Sequence, residues 1–322
     1  MFESCWARQD RRAAAGGGRP GAAPAPGGGY DRDEPMRVAA IIVTLDRSAV
    51  LGRALRALAA QTRPPEGVVV VDNASCDDTL KVLARDFPLV DVLKMDENLG
   101  VNAGLAVGMQ RARELGFDAF WLMDDDSEPE PLALDEVVRA LESGSADVVG
   151  FRGGTLGFGW IRHWKAPDAV RTRPSLGRGV YAMDFVLVDG TLIPRRVVDA
   201  VGYPPEDYFM MIGDIEYTYR MTRHGFRTGV LERDRMRNAA LGSAGGPSGK
   251  LPWRAYYKAR NHVRMALAYR SPTLIAGCFA RQVYLLAGLC ARREWARARA
   301  LVLGVIDGLR GRMGRTMEPE GS

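Results

Sequence analysis

Three consecutive carboxylates, Asp124-Asp125-Asp126, end the apolar run Ala119-Phe120-Trp121-Leu122-Met123. A run of that kind reads as a buried strand, and because unpaired charges are costly inside a sheet, the acids must emerge at its edge. Side chains alternate along an extended chain, which sets Asp124 and Asp126 on one side, roughly 6 to 7 Å apart along the backbone, and turns Asp125 elsewhere. Two carboxylates at that spacing can share one hard cation, Mg2+ or Mn2+, and a cation carrying a diphosphate would relieve the repulsion within the cluster. The competing reading is a solvated acidic turn in which Asp126 or Ser127 caps the next helix. Farther on, Asp214 and Glu216 fall in the first turn of an expected helix, where the helix dipole stabilises acids with or without chemistry.

The surrounding elements must bring these acids to one place. Val38–Thr44 is a β-rich run without alternation, hence buried on both faces, and it ends at Asp46-Arg47-Ser48. Helical spacing of Leu51, Leu55, Leu58 and Ala59 predicts a helix over 49–61, stopped by Pro64-Pro65. Gly67–Val71 is a second buried strand, closed by Asp72-Asn73-Ala74-Ser75. Strand, helix and strand in this order make a parallel, right-handed crossover, and in such sheets ligands bind beyond the carboxyl ends of the strands. Three strand ends therefore converge: Thr44 to Arg47, Asp72-Asn73, and Asp124 to Asp126. A helix over 79–87 and a strand over 90–94 follow, and then Glu97-Asn98-Leu99-Gly100 opens a helix running to Leu115. Glycine and asparagine there permit close approach to an anion, or simply cap the helix. The pattern continues with a helix over 131–142, a strand over 146–151, a long surface loop over 153–179, a strand over 181–189 and a helix over 195–201.

Composition bounds the rest. The chain has 322 residues and 47% hydrophobic content, enough for one large core with appendages. Residues 1–35 are rich in Gly, Ala, Pro and Arg and are expected to be a disordered arm, and strand-like sequence directly after Met36 makes that methionine a candidate start. The four cysteines lack a CxxC pair and are read as reduced thiols in a cytoplasmic protein, and the three histidines are too dispersed for a zinc site. From 36 to 249 there are 25 basic and 30 acidic residues, a balance of −5, whereas 250–322 holds 14 basic and 4 acidic, a balance of +10. A basic C-terminal region suits an anionic membrane surface or nucleic acid, or is simply a solvated helical face; a membrane surface, and no nucleic acid, is the expected partner. Thr273–Ala291 is the candidate crossing, but its apolar residues favour insertion by roughly 2 to 4 kcal/mol while Arg281 opposes it by about 2.5 to 3.5, a near cancellation that Gln282 and the glycines tip toward peripheral attachment. Trp295, Ala298, Val302, Val305, Ile306 and Leu309 recur at helical spacing, the pattern of a helix lying in the interface or packed on the domain.

Taken together, Ile42-Val43-Thr44-Leu45-Asp46-Arg47, Gln61-Thr62, Val70 through Ser75, Asn98-Leu99-Gly100, Trp121 through Asp126, and Gly213-Asp214-Ile215-Glu216 with Arg220 resemble a family 2 glycosyltransferase. Gly190-Thr191-Leu192, Tyr208-Phe209 and Tyr257-Lys258-Ala259-Arg260-Asn261 narrow the likeness to actinobacterial galactofuranosyl- and rhamnosyltransferases of cell-wall glycan assembly on polyprenyl diphosphate carriers. The resemblance implies an α/β GT-A fold over 36–249, a mixed, mostly parallel nucleotide-binding sheet flanked by helices, with a basic helical extension over 250–322. It implies Asp72 on the nucleobase, Asp124 and Asp126 on ribose, diphosphate and metal, and Asp214 as catalytic base. It adds Thr44, Asp46, Arg47, Asn73, Asn98 and Gly100 to the donor side, and Trp121, Glu216, Arg220, Arg260 and Asn261 to the acceptor side or its support. The implied donor is UDP-galactofuranose or dTDP-rhamnose, and the implied acceptor is a saccharide, free or polyprenyl-linked, at the inner face of the cell membrane.

The chemistry of the residues agrees with that reading. Sugar transfer needs a cation opposite the departing diphosphate and a carboxylate to take the acceptor's proton, and a base acting without an enzyme nucleophile inverts the anomeric centre. Three departures stand out. Leu45-Asp46 stands where the family often has tyrosine or histidine and then asparagine or arginine, Gly213 replaces a second acid, and no histidine follows Arg237-Asn238, so Asn238 or water is expected to complete a metal sphere. A nucleotidyltransferase would use a glycine-rich basic loop after the first strand, which Thr44-Leu45-Asp46-Arg47 is not. A non-catalytic sugar or lipid-carrier binding protein is the third alternative.

Overall fold

Strands rich in Val, Ile and Ala are satisfied only by burial on both faces, and three such strands form the centre of the molecule. The computed structural model describes residues 35–164, 170–238 and 251–318, so the expected arm, apart from Pro35, lies outside the described residues. The first half runs β1 (Val38–Thr44), α1 (Ser48–Ala59), β2 (Gly67–Asp72), α2 (Thr79–Asp86), β3 (Asp91–Lys94), α3 (Val101–Glu114), β4 (Ala119–Asp124), β5 (Ser127–Pro129), α4 (Ala133–Glu142) and β6 (Val148–Gly150). Then come β7 (Gly153–Gly157), β8 (Trp160–Trp164), β9 (Ser175–Gly177), β10 (Val180–Ala182), β11 (Phe185–Val186), β12 (Thr191–Pro194), α5 (Arg195–Val201), α6 (Gly213–Arg223), β13 (Thr228–Leu231) and β14 (Met236–Asn238). Three helices close the described chain: α7 (Pro252–Ala268), α8 (Pro272–Ala291) and α9 (Trp295–Arg310).

Among the described residues nine strands form one mixed sheet in the order β3-β2-β1-β4-β12-β6-β13-β10-β9. Only β12 and β10 run against the other seven. Pleating divides the core: Val38, Ala40, Ile42, Trp121 and Met123 enter one layer with α1 and α4, while Ala39, Ile41, Phe120 and Leu122 enter the other with α3, α5 and α6. Trp121, fully buried in the first layer, therefore has no access to an acceptor, which leaves only the supporting place of the two the resemblance implies. Thr44 lies opposite Asp72 and Val43 opposite Asp124, so the three strand ends reach one edge at one level.

The expected loop over 153–179 is instead largely a hairpin, β7 with β8, and a further edge strand, β9. Its strands hide their period because Gly153 and Gly154 occupy positions where a Cβ would come 2.6 Å from the Phe185 carbonyl and 2.2 Å from that of Arg162. The turn is Phe158-Gly159, with φ of 51° and 68°, the left-handed pair that a two-residue hairpin requires. The expected strand over 181–189 is likewise split, because β10 joins the large sheet and β11 joins β7.

In the C-terminal region α9 crosses α7 closely: a Cβ on Gly304 would lie 2.3 Å from the Tyr256 carbonyl, and one on Gly308 would lie 2.6 Å from that of Arg260. The apolar stripe of α9 consequently divides. Ala298 packs toward α7, whereas Trp295, Val302 and Leu309 are exposed.

Candidate active site

The edge of the sheet opens into a cleft of about 460 Å³ lined by Asp124, Asp125, Asp126 and Asp214 together with Arg47, His163, Arg254 and Lys258. Asp125 faces the end of β1, accepting from Thr44 Oγ1 at 2.9 Å and pairing with Arg47 Nη1 at 3.0 Å. Burial, followed by the charges of Asp189, Asp126, Asp125 and Asp214, pushes the Asp124 carboxyl well above the usual carboxylate range. Asp189 stands behind it. Its carboxylate accepts from Ser127 Oγ at 2.5 Å, Asn238 Nδ2 at 3.1 Å and Arg152 Nη1 at 3.2 Å. Arg152 is thus engaged by Asp189 and Asp234, and among the described residues no lysine or arginine pairs with Asp124 or Asp126.

Asp124 and Asp126 keep no counter-charge among the described residues, where no group of three or more His, Cys, Asp or Glu side chains is set to hold a metal ion; a hard divalent cation such as Mg2+ or Mn2+ would draw on these two carboxylates. Asn238 has a different place from the one expected. Its Nδ2 donates to Asp126 Oδ1 at 3.4 Å and to Ser127 Oγ at 2.9 Å, while its oxygen is taken by Arg152, so it meets the acids as a donor and offers them no oxygen.

On the other side of the sheet end, the Asp72 carboxylate is buried, and its Oδ1 has no partner among the described residues. A buried acceptor left open is costly unless a ligand donor completes it. Asn73 and Asn98 join the loops around it: Asn73 Nδ2 donates to Asn98 Oδ1 at 2.8 Å, which also accepts from Gly100 N at 2.9 Å. Gly100, with φ 86°, lies so near the Phe209 carbonyl that a Cβ would come within 2.2 Å. Asp46 accepts from Cys76 N at 2.6 Å and Asp77 N at 3.2 Å, tying the end of β1 to the loop after β2. Thr44, Asp46, Asn73, Asn98 and Gly100 thus shape the loops at the cleft without lining it.

Asp214 sits in the first turn of α6. Burial raises its carboxyl above the ordinary value, while the N–H groups of Ile215 and Asp214 and the charge of Lys258 pull it down. The preceding segment is strained, with φ of 50° at Phe209, 62° at Met211 and 65° at Ile212, conformations rare for bulky residues. One amide holds it: Asn261 Nδ2 donates toward the carbonyls of Tyr208, Met210 and Met211 at 2.9, 2.8 and 2.8 Å. Arg260 Nε fixes that amide by donating to Asn261 Oδ1 at 2.8 Å, and its Nη1 reaches the Gly314 carbonyl at 2.6 Å. The C-terminal segment closes the clamp through Gly314 N, which donates to the Asp207 carbonyl at 2.7 Å.

Arg260 and Asn261, expected on the acceptor side or as its support, are buried away from the cleft in a supporting place, and Lys258 of the same motif is the residue that lines it. Glu216 and Arg220 are also internal, paired at 2.9 Å, with Arg220 bound to the Val201 and Tyr203 carbonyls. Sequence reasoning missed Asp189, His163, Arg254 and Lys258 as site residues. The spacing of Arg254 and Lys258 on one helical face was an available signal; His163 was hidden with its hairpin.

Asn261→Leu should leave the Met210 and Met211 carbonyls short of a donor and free the strained segment, lowering kcat by tenfold or more while donor affinity stays within about twofold, since each buried unmade hydrogen bond costs about 1–3 kcal/mol. Steady-state kinetics beside donor titration checks this, and Asn261→Gln should recover part of the rate. A parallel fall in affinity would mean a general loss of folded protein.

Residues 39–179 match the family model described as glycosyl transferase family 2. The chain is 30% identical over 208 residues to galactofuranosyltransferase GlfT1 of Mycolicibacterium smegmatis, covering 60% of this chain and 68% of that one. GlfT1 of Mycobacterium tuberculosis is 29% identical over 211 residues, covering 60% and 67%. Among solved structures, S. aureus TarS 1-349 in complex with UDP-GlcNAc superposes with a TM-score of 0.58 at 16% identity over 85% of this chain and 81% of that one. Mannosyltransferase PcManGT from Pyrobaculum calidifontis, in complex with GDP-Man and Mn2+, gives 0.55 at 17% over 87% and 89%. These two share the fold, a mixed α/β sheet of GT-A type. With strand ends, acids and relatives in agreement, this chain belongs to glycosyltransferase family 2.

Proposed function

We propose that the chain is an inverting glycosyltransferase that moves galactofuranose from UDP to a hydroxyl of a saccharide acceptor. The observation that carries this reading is the single cleft holding Asp214 at a helix start together with Asp124 and Asp126 at a strand end. The GlfT1 relatives favour galactofuranose, and dTDP-rhamnose stands second as donor. Asp72, whose Oδ1 is open, would accept from the nucleobase. Asp124 and Asp126 would hold Mg2+ or Mn2+, and PcManGT, which shares the fold, was solved with Mn2+. When bound, such an ion supplies the charge that neutralises a departing diphosphate. Arg47, Arg254 and Lys258 add positive charge along the same cleft.

In the reaction Asp214 takes the proton of the acceptor hydroxyl as its oxygen attacks the anomeric carbon, and the bond to the nucleoside diphosphate breaks on the opposite face. One displacement inverts the centre. The burial that raises Asp214 also makes it a stronger base once ionised. We assign the catalytic acids to residues 36–249 and read 250–322, which adds Arg254 and Lys258 to the cleft, as a basic helical region that works at the cytoplasmic face of a membrane, where a polyprenyl-linked saccharide would be the acceptor.

Thermal unfolding with a panel of nucleotide sugars, each with and without Mn2+, tests the donor. A ligand at 100 times its Kd stabilises by about 2.7 kcal/mol, worth roughly 5–10 °C in a domain of this size. UDP-galactofuranose should give the largest rise and only with metal, whereas equal responses across the panel would contradict the assignment.

A further inference from the structure

Eleven large apolar side chains are exposed among the described residues, and eight lie on the β7–β8 hairpin, α8 and α9, including Phe158, Trp160, Val283, Tyr284, Trp295 and Leu309. On α8 the exposed positions from Ala276 onward, which include Val283 and Tyr284, recur three or four residues apart and form one stripe without a charge. The helix that normally turns polar groups outward turns them inward here: Gln282 is buried, its Nε2 3.2 Å from His262 Nδ1. Mean hydropathy reaches 1.6 over an 18-residue window of α8, of which 22% is buried.

A spanning role conflicts with how α8 is held. A Cβ on Gly277 would lie 1.5 Å from the Phe158 carbonyl, so the hairpin tip rests directly on the helix, and the Trp160 and Tyr284 rings meet at 5.6 Å. Crossing a bilayer would require both contacts to break and Arg281, at mid-helix, to enter hydrocarbon. Lying flat keeps them.

Charge identifies what the ridge faces. Arg270, Arg293, Arg299 and Arg310 are exposed around it and form no ion pair with any described residue. The acids of the two helices are already engaged, Glu294 with Arg292 and Arg297, and Asp307 with the Tyr256 hydroxyl. A second copy docked about a twofold axis would set arginine rim against arginine rim, whereas anionic lipid headgroups complement the rim and accept the apolar ridge.

We propose that the hairpin tip and the outward faces of α8 and α9 form one surface that seats the cleft on an anionic bilayer without a spanning helix. This names the surface for the peripheral attachment proposed above and rests on that reading. It also explains the siting of the cleft: His163 lines it and Trp160 stands on the ridge, three residues apart on β8, about 10 Å along the strand. A lipid-carried acceptor would meet the cleft at headgroup level.

Flotation of the full chain with phosphatidylcholine vesicles, with and without 30% phosphatidylglycerol, tests it beside the donor-induced thermal shift. Wild type should float with the anionic vesicles and lose most of that binding in 0.5 M salt. Phe158→Ser/Val283→Ser/Tyr284→Ser, which alters exposed side chains, should lower the bound fraction at least tenfold with the donor shift unchanged. Arg293→Glu/Arg299→Glu should weaken binding to anionic vesicles alone. Flotation of the triple variant at the wild-type level, or a wild-type dimer lost in that variant without flotation of either, overturns the surface. Loss of every donor response with flotation intact would instead contradict the transferase reading and leave the docking surface standing.

Discussion

Asp214→Asn should cut turnover by about 10²-fold or more while donor affinity stays within a few-fold of wild type, because the carboxamide keeps the shape of the side chain and cannot take a proton. The pH profile of the wild type should bear the same mark. Protonated Asp214 is inactive as a base, so kcat rises with pH as it ionises, and burial places the midpoint above the usual carboxylate value near 4. Lys258 lowers that midpoint through its charge, so Lys258→Ala should move the rising limb to higher pH. A variant Asp214→Asn that retains more than about a tenth of the wild-type rate would reduce Asp214 to an acid that merely suits a helix start.

Asp124→Ala and Asp126→Ala should each weaken nucleotide-sugar binding at least tenfold and abolish its dependence on divalent metal, since both carboxylates would couple protein to diphosphate through the ion. A softer substitution separates this function from folding. Burial and four neighbouring carboxylates raise Asp124 in the folded state above its unfolded value. A group raised in this way contributes stability fully present below the unfolded value and lost as pH rises through the folded one. At neutral pH, then, its charge opposes folding. Asp124→Asn should therefore melt at or above the wild-type temperature without metal, most clearly above the carboxylate range, while losing the metal-dependent rise with donor. Melting curves from pH 5 to 8 check both signs, and an undiminished metal-dependent rise would contradict the assignment.

The sheet was legible because its strands are unbroken apolar runs that stop at polar residues; Val38–Thr44, Gly67–Asp72 and Ala119–Asp124 carry their own ends in the sequence. The convergence of those ends followed from the parallel crossover alone. What escaped depends on contacts between distant segments. Gly153 and Gly154 are strand residues only because Phe185 and Arg162 press on them, and no local period records that. Asp189 gains its place beside Asp124 by the reversed run of β12, which the sequence does not announce. The motif around Lys258 carried both a cleft residue and a clamp, and only the crossing of α7 with the 208–212 segment separates Lys258 from Arg260 and Asn261.

The decisive measurement is a single-turnover reaction of the wild type with UDP-galactofuranose, Mn2+ and a saccharide acceptor, following released nucleotide by chromatography and the new linkage by NMR. Stoichiometric UDP with the anomeric configuration inverted is the expected outcome, and Asp214→Asn should give neither. Release of inorganic diphosphate, or a product with the donor's configuration retained, would contradict a direct displacement driven by one carboxylate base.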